Sequence, residues 1–273
     1  MKLSQADKHP AWCPGCGNYH ILETLKEVLN ETYPDKSNLV LVSGIGQAAK
    51  MPHYLKVNVF NGLHGRALPA ATGIKLANHK LEVLVTSGDG DMYGEGGNHF
   101  IHALRRNIGI KAIVHDNQVY GLTKGQASPT SDLGFVTGIQ IHGVKSLPIN
   151  PIALAIVEDC SFVARSFSGA KEHLKEMMRA VLNHKDGFAL LDVLQPCVSF
   201  NHINTFKWYK ERIIPLDSKH DPFDREAALR IALSREDKIP IGIIYQSKRA
   251  SFESSLEVLA DGPLIDRYEK NEP

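Results

Sequence analysis

Asp89 and Asn117 are the two residues whose types and placement point most directly to chemistry. Asp89 lies in Ser87-Gly88-Asp89-Gly90-Asp91, directly after the apolar run Leu81 to Thr86, and Asn117 follows a second such run, Lys111 to His115. A carboxylate and an amide from neighbouring strand ends, with main-chain oxygens beside them, are hard ligands of the kind Mg²⁺ takes while leaving positions open for phosphate oxygens. Gly94, Gly96 and Gly97 lie between them. They let backbone amides approach a phosphate, and the positive end of the helix that starts there adds attraction. The stretch 81–117 therefore reads as a site for a magnesium diphosphate. Gly-Asp-Gly and Asp-Asn each favour turns by themselves, and it is the spaced pair that makes the signal specific.

The elements that must position these groups alternate along the chain. Strands are expected at Leu39 to Val42, Val57 to Phe60, Leu81 to Thr86, Lys111 to His115, Phe162 to Ala164 and Phe188 to Leu194, from short β-branched apolar runs. Helices are expected where Ile21, Leu22, Leu25, Val28 and Leu29 share one face, after Pro69 as far as about Asn78, around Phe100 to Leu104, from Pro151 to Glu158, and from Ala170 to His184. This is the pattern of an α/β fold, a doubly wound and mostly parallel sheet, which binds ligands at the carboxyl ends of its strands. Residues 1–200 form that domain. Residues 201–273, with a helix from Asp224 to about Arg235 and an apolar run from Ile239 to Tyr245, read as a C-terminal extension packed on the same domain or on a partner.

Trp12-Cys13-Pro14-Gly15-Cys16-Gly17 precedes the first helix. A redox pair, half a zinc site and two ligands of an iron–sulfur cluster all fit a Cys-x-x-Cys. No strand precedes the pair, and zinc would need two more ligands, for which Cys160 and Cys197 stand at long range. Cys160 reads as a small buried apolar residue, whereas Cys197 follows a strand on the active face. Gly44-Ile45-Gly46-Gln47-Ala48-Ala49 imitates a dinucleotide fingerprint, but Pro52 comes too early for its helix and the next strand ends in Asn61 rather than an acid.

His64 and Arg66 lie in a turn at the same end of the sheet as Asp89 and are placed to face a cofactor. Gln118 to Thr130 is without period and reads as a long ordered loop of the functional kind. Lys124 within it is either a solvated charge or a partner for an anionic ligand.

Composition narrows the classes. Lys and Arg total 31 against 30 for Asp and Glu; this balance gives no basic field for nucleic acid. No apolar run approaches the roughly 18 residues of a membrane span, and the start lacks a signal peptide's apolar core. A cytoplasmic protein is expected, in which the four cysteines serve metal or redox chemistry before disulfides.

Gly-Asp-Gly followed by Asn 28 positions after the Asp resembles the thiamine diphosphate motif. That resemblance makes Asp89 and Asn117 side-chain ligands of Mg²⁺ and Val119 a carbonyl ligand. More broadly, Trp-Cys-Pro-Gly-Cys-Gly, Gly44-Ile45-Gly46, Lys50-Met51-Pro52-His53, Leu63-His64-Gly65-Arg66-Ala67-Leu68-Pro69, Gly88-Asp89-Gly90-Asp91 and Asp116 to Gln126 resemble, in order, the β subunit of two-subunit 2-oxoacid:ferredoxin oxidoreductases.

The resemblance implies CoA-dependent oxidative decarboxylation of a 2-oxo acid, with electrons passed to ferredoxin. It further implies an α subunit that completes the site, in an αβ or (αβ)₂ assembly, so that this chain alone is inactive. The cofactor wall it implies comprises Gly46, His64, Gly65, Arg66, Gly88, Asp89, Gly90, Asp91, Asn117, Val119, Tyr120, Gly121, Leu122 and Thr123, with Lys50, Lys124 and His64 as catalytic candidates. The loop from Lys124 to Thr130 resembles the 2-oxoglutarate and broad-range members more than those acting on pyruvate.

A [4Fe-4S] cluster is also implied, on Cys13, Cys16 and Cys197. Position 47, a cysteine in the family, is Gln47 here, and an amide is a poor iron ligand beside thiolates. Either the cluster persists with a foreign fourth ligand, or it is a three-iron or labile one, or it is absent; the three retained cysteines favour a cluster. Two other functions compete: a non-oxidative thiamine diphosphate decarboxylase or synthase subunit, which leaves the cysteines without purpose, and a non-enzymatic structural subunit containing zinc.

Overall fold

A computed structural model of the chain describes residues 9–234 and 237–269; residues 1–8 and Arg235, where the sequence placed the start of the chain and a helix end, lie outside them. The first half runs α1 (Gly17–Thr32), β1 (Leu39–Ser43), β2 (Asn58–Asn61), α2 (Ala67–Ala77), β3 (Glu82–Gly88), α3 (Gly97–Arg106) and β4 (Ile110–Asp116). A small hairpin of β5 (Val119–Tyr120) and β6 (Gln126–Ala127) follows, then α4 (Pro151–Val157), β7 (Phe162–Phe167), α5 (Lys171–Asn183) and β8 (Ala189–Leu194). Beyond these come α6 (Phe206–Arg212), β9 (Ile213–Pro215), α7 (Arg225–Leu233), β10 (Ile239–Gln246) and α8 (Leu264–Glu269).

Eight strands make one sheet in the order β2-β1-β3-β4-β8-β7-β10-β9. The first six in that order are parallel to their neighbours, β10 pairs antiparallel with β7, and β9 runs parallel to β10. The central strands are uninterrupted β-branched and aliphatic runs because both of their faces are covered. On one face α2, α3, α4 and α7 bury Leu68, Phe100, Leu104, Ile152, Ile156 and Ala228. On the other, α1 and α5 bury Ile21, Leu25, Leu29, Leu174, Met178 and Val181, joined by Met51 and Tyr54 of a 3-10 helix spanning Ala48–Tyr54. Pro52 keeps that segment from lengthening into an α-helix.

The sequence is stopped and started by local chemistry. Pro151 opens α4 behind Asn150, whose side chain accepts from the Ala153 N–H, and Asp224 caps α7 in the same way through Ala227. The strand expected to end at Thr86 continues to Gly88, so Asp89 leaves the sheet directly. What the sequence suggested as an acidic turn is a π-helical turn from Gly90 to Glu95 that feeds α3, a local widening often found at functional sites. Residues beyond 200 do more than lie on the surface, because β10 is a hydrogen-bonded member of the sheet.

From β1 the chain passes to β2 on one side, and from β3 it passes to β4 on the other. The crevice between the carboxyl ends of β1 and β3 is therefore the point where an open α/β sheet accepts a ligand.

At the opposite end of the sheet, Glu82 at the start of β3 pairs with Lys111 of β4 and, at 2.6 Å, with Lys185. Burial alone would raise the Glu82 carboxyl, but the two ammonium groups outweigh it and hold the group at about 2. Lys111 is 4% exposed. Glu82→Ala is expected to cost about 3 kcal/mol or more in urea unfolding, because it strands a buried ammonium. In the wild type this contribution is present above the ordinary Glu value of 4.5 and lost as pH falls toward about 2.

Candidate active site

Asp89 is 1% exposed at the carboxyl end of β3. Its Oδ2 accepts from the hydroxyls of Ser128 and Thr130, the latter at 2.7 Å. Burial pushes the carboxyl up to about 6, against the Ser128 and Thr130 hydroxyls and the Gly90 and Asn117 amides, which favour its charge. Asn117 begins the next strand-end turn, where its Oδ1 accepts from the Val119 N–H at 3.1 Å.

Asp91, two residues on, has a different task. Its Oδ1 accepts from the backbone N–H of Ile45 at 3.0 Å and of Gly65 at 2.8 Å, and its Oδ2 from the Ser87 hydroxyl at 2.6 Å. His64 Nδ1 completes the shell, 2.7 Å from Oδ1. A Cβ on Gly44 would stand 2.1 Å from Asp91 Oδ2, and Gly65, at φ +68°, would place one 2.4 Å from the carbonyl carbon of Glu95. Both glycines are required by close approach.

Ile45, Gly46, Gln47, Ala48, His64, Gly88 to Asp91, Asn117 and Val119 to Thr123 line one cleft. Twelve of the residues that the sequence singled out for the cofactor thus meet: Gly46, His64, Gly88, Asp89, Gly90, Asp91, Asn117, Val119, Tyr120, Gly121, Leu122 and Thr123. Four others stand outside its walls. Gly65 serves Asp91 through its amide, while Arg66 turns outward and places Nη1 2.9 Å from His99 Nε2. Lys50 reaches the Ala11 carbonyl at 3.4 Å, and Lys124 is exposed in a left-handed backbone conformation. The cleft encloses about 80 Å³, well short of the roughly 300–1,000 Å³ of a complete small-molecule site. These residues form one wall of a site.

Sequence reasoning missed Ser128 and Thr130 as partners of Asp89. Thr130 Oγ1 is also 2.7 Å from Asp116 Oδ1, and one hydroxyl proton cannot serve two carboxylates. Burial, reinforced by the charges of Asp192 and Asp89, pushes Asp116 well above the usual carboxylate range. A proton on Asp116 would supply the second bond. Below it Tyr93 donates to Asp192 at 2.9 Å, with Arg165 3.7 Å away. The hydroxyls' signal lay in their density, Ser128-Pro129-Thr130-Ser131, in a loop flanking a site already rich in acids.

Cys13, Cys16 and Cys197 gather on one side of the cleft, whereas Cys160 is buried in the core beside the Phe162 and Phe188 carbonyls. Cys16 is the N-cap of α1, and burial pushes its thiol up to about 11, with the nearby Cys197 and Cys13 adding repulsion. Gln195 donates to Cys16 Sγ at 3.4 Å, and Cys197 packs against Val119. Gln47 is anchored through its carbonyl, which accepts from the Trp12 indole at 2.8 Å. Among the described residues, no three His, Cys, Asp or Glu side chains are close enough to share one metal ion.

The family model for the C-terminal TPP-binding domain of thiamine pyrophosphate enzymes matches residues 41–193, and that for the C-terminal part of the pyruvate ferredoxin oxidoreductase β subunit matches 197–261. The chain is 45% identical to the 2-oxoacid:ferredoxin oxidoreductase subunit β of a Sulfolobus species, over 87% of this chain and 82% of that one. To the subunit of the same name from Saccharolobus solfataricus it is 46% identical, over 88% and 83%. The chain belongs to the β subunits of the 2-oxoacid:ferredoxin oxidoreductases. A solved structure of this family, the 2-oxoglutarate:ferredoxin oxidoreductase from Magnetococcus marinus with 2-oxoglutarate, coenzyme A and succinyl-CoA bound, superposes with a TM-score of 0.91 at 30% identity, over 100% of this chain and 97% of that one.

As a member of that family the chain is an oxidoreductase subunit with a thiamine diphosphate-binding fold, and the 41–193 match spans the Asp89 cleft. The donor set there suits Mg²⁺: a buried carboxylate, the Asn117 amide and the Val119 carbonyl are all hard oxygens. A divalent cation beside Asp89 would relieve the penalty of its burial.

Because the folded-state value of Asp89 is about 6 against an ordinary 3.8, the metal-free protein gains stability from a bound proton at low pH and loses it as pH rises through about 6. Mg²⁺ with thiamine diphosphate is expected to raise Tm more at about pH 7 than at about pH 5, where the ligand must displace that proton. Asp89→Asn should abolish the difference in a thermal-shift series. Gly65→Ala should lower Tm by several degrees and abolish cofactor-induced stabilisation.

Proposed function

We propose that this chain, with an α subunit covering its cleft, catalyses the CoA-dependent oxidative decarboxylation of a 2-oxo acid, preferentially 2-oxoglutarate, and passes the electrons to ferredoxin. The observation that carries the reading is the buried Asp89 carboxylate at the switch point, grouped with Asn117 and Val119 in a chain so similar to β subunits of this activity. Thiamine diphosphate, when bound, would supply a nucleophilic carbon and an electron sink for the decarboxylation. The chain's own part is to hold Mg²⁺ through Asp89, Asn117 and Val119, to receive phosphate oxygens along the Gly88 to Asp91 backbone, and to present His64 to the ligand.

Two features favour an α partner. The cleft is one wall, and beside it the segment 133–149 exposes Leu133, Val136, Ile139, Ile141 and Leu147. Ile139, Ile141 and Leu147 line a groove of about 670 Å³ that shares Tyr120 with the cleft. Contiguous apolar surface of this kind marks a protein interface. Preference for 2-oxoglutarate is favoured by the Lys124 to Thr130 loop and by the ligand in the Magnetococcus marinus structure. The assembly is proposed to be cytoplasmic and of αβ or (αβ)₂ form; among the described residues no helix is long and apolar enough to cross a membrane.

Cys13, Cys16 and Cys197 are the proposed thiolates of a [4Fe-4S] cluster. Their grouping beside the cleft supports this reading. Lys50 and Lys124 are proposed to act on the substrate once α is docked, since neither belongs to the cleft of the isolated chain.

Co-expressed with its α subunit, the protein is expected to reduce viologen only when CoA and a 2-oxo acid are both present, with kcat/KM for 2-oxoglutarate above that for pyruvate and for a branched 2-oxo acid. CoA-independent release of an aldehyde would instead establish the non-oxidative alternative. Anaerobically purified complex should contain iron and acid-labile sulfide, and Cys13→Ser should lower both; zinc in their place would refute the cluster.

A further inference from the structure

The reaction proposed above has a proton to dispose of. A 2-oxo carboxylate and a thiol give a thioester, CO₂, one proton and two electrons. Ferredoxin takes electrons alone, so the proton needs its own exit from a cleft that a partner subunit covers.

His64 is the titratable ring in the cleft wall, and its two nitrogens face different acids. Nδ1 is 2.7 Å from Asp91 Oδ1, and Nε2 is 3.6 Å from Glu95 Oε2. The buried Asp91 carboxylate is an acceptor for every other group that touches it. It therefore takes the ring proton on Nδ1 and leaves the Nε2 lone pair free. Glu95, at the end of the π-helical turn, has its side chain 45% exposed. The Tyr120 hydroxyl donates to that carboxylate, 3.1 and 3.3 Å from its two oxygens. The ring of Tyr120 also packs edge-on against His64, with centroids 6.2 Å apart. Arg66, the neighbouring cation, is directed away toward His99. The separation of 3.6 Å is one that a bridging water or a small rotation of Glu95 closes.

We propose that His64 and Glu95 form the path by which the proton liberated in thioester formation leaves the cleft, with Asp91 and Tyr120 as the positioning residues of that path. The inference rests on the functional reading above. As the thiol S–H bond breaks and the sulfur joins the acyl carbon, replacing the bond by which that carbon would be held on the cofactor, His64 Nε2 takes the proton. The imidazolium gives it to Glu95, and Glu95 releases it to water. No electrons move in these transfers, and both side chains return to their starting states.

The test uses the αβ complex. Glu95→Gln keeps the size of the side chain but cannot take a proton. It is expected to lower kcat at least about tenfold, in keeping with the contribution of a positioned acid–base group, and to enlarge the solvent deuterium isotope effect on kcat. Affinity for thiamine diphosphate should stay within about twofold, since Glu95 does not line the cofactor wall. Formate should restore the rate of Glu95→Ala, and imidazole that of His64→Ala, in a concentration-dependent way. Unchanged kcat and isotope effect in Glu95→Gln, beside an active wild type, would overturn the path. So would a loss of rate that formate and imidazole fail to restore and that tracks weakened cofactor binding. A wild-type complex without CoA-dependent viologen reduction would overturn the functional reading itself, and the path with it.

Discussion

The Asp91 carboxylate collects donors from three separate stretches of chain: the Ile45 amide just past β1, the Gly65 amide and His64 ring in the turn before α2, and the Ser87 hydroxyl within β3. Hydrogen bonds to a buried charge are worth about 1.5–3 kcal/mol each, and here they converge on one group. They bind together the loops that diverge from the switch point, and so set the width of the cleft. Two acids separated by one glycine thus divide their labour. Asp89, buried and resisting ionisation, suits a cation, whereas Asp91 is spent on holding the walls.

That division was only half legible in the sequence. The strand ends, the paired Asp89 and Asn117, and the sheet type follow from period and residue class, because a fully buried parallel strand leaves a run of β-branched residues that little else produces. The twelve cleft residues then come together because parallel strands deliver their loops to one end. Contacts between elements distant in sequence left no such trace. Nothing in the spacing of Ser128 and Thr130 says that their hydroxyls reach Asp89 across about forty residues. Arg66 illustrates the converse: its place in the turn is right, but side-chain direction is decided by packing, and it faces His99. The C-terminal segment was harder still, since an apolar run such as Ile239 to Tyr245 does not declare whether it extends a sheet or covers one.

The two ends of the sheet are managed by opposite electrostatics. At the amino ends, Glu82 meets Lys111 and Lys185 and remains charged in spite of its burial. At the carboxyl ends, Asp89, Asp116 and Asp192 lie within reach of one another, and burial drives all three upward. Arg165, 3.7 Å from Asp192, is the cation that acts on the last two of them. The first arrangement closes the fold by pairing. The second leaves an uncompensated demand for positive charge where a cofactor's metal would sit.

The antiparallel strand β10 has a consequence for how the chain is made. It is inserted between β7 and β9 yet is synthesised after all six parallel strands. Until residues 239–246 emerge from the ribosome, β7 has a bare edge, with the N–H and C=O groups of Phe162 to Arg165 unpaired. An open edge on an apolar sheet is the state most prone to pair with a second nascent chain. The sheet therefore cannot be finished from its amino terminus onward. Its solubility during synthesis depends on how quickly this one late strand arrives.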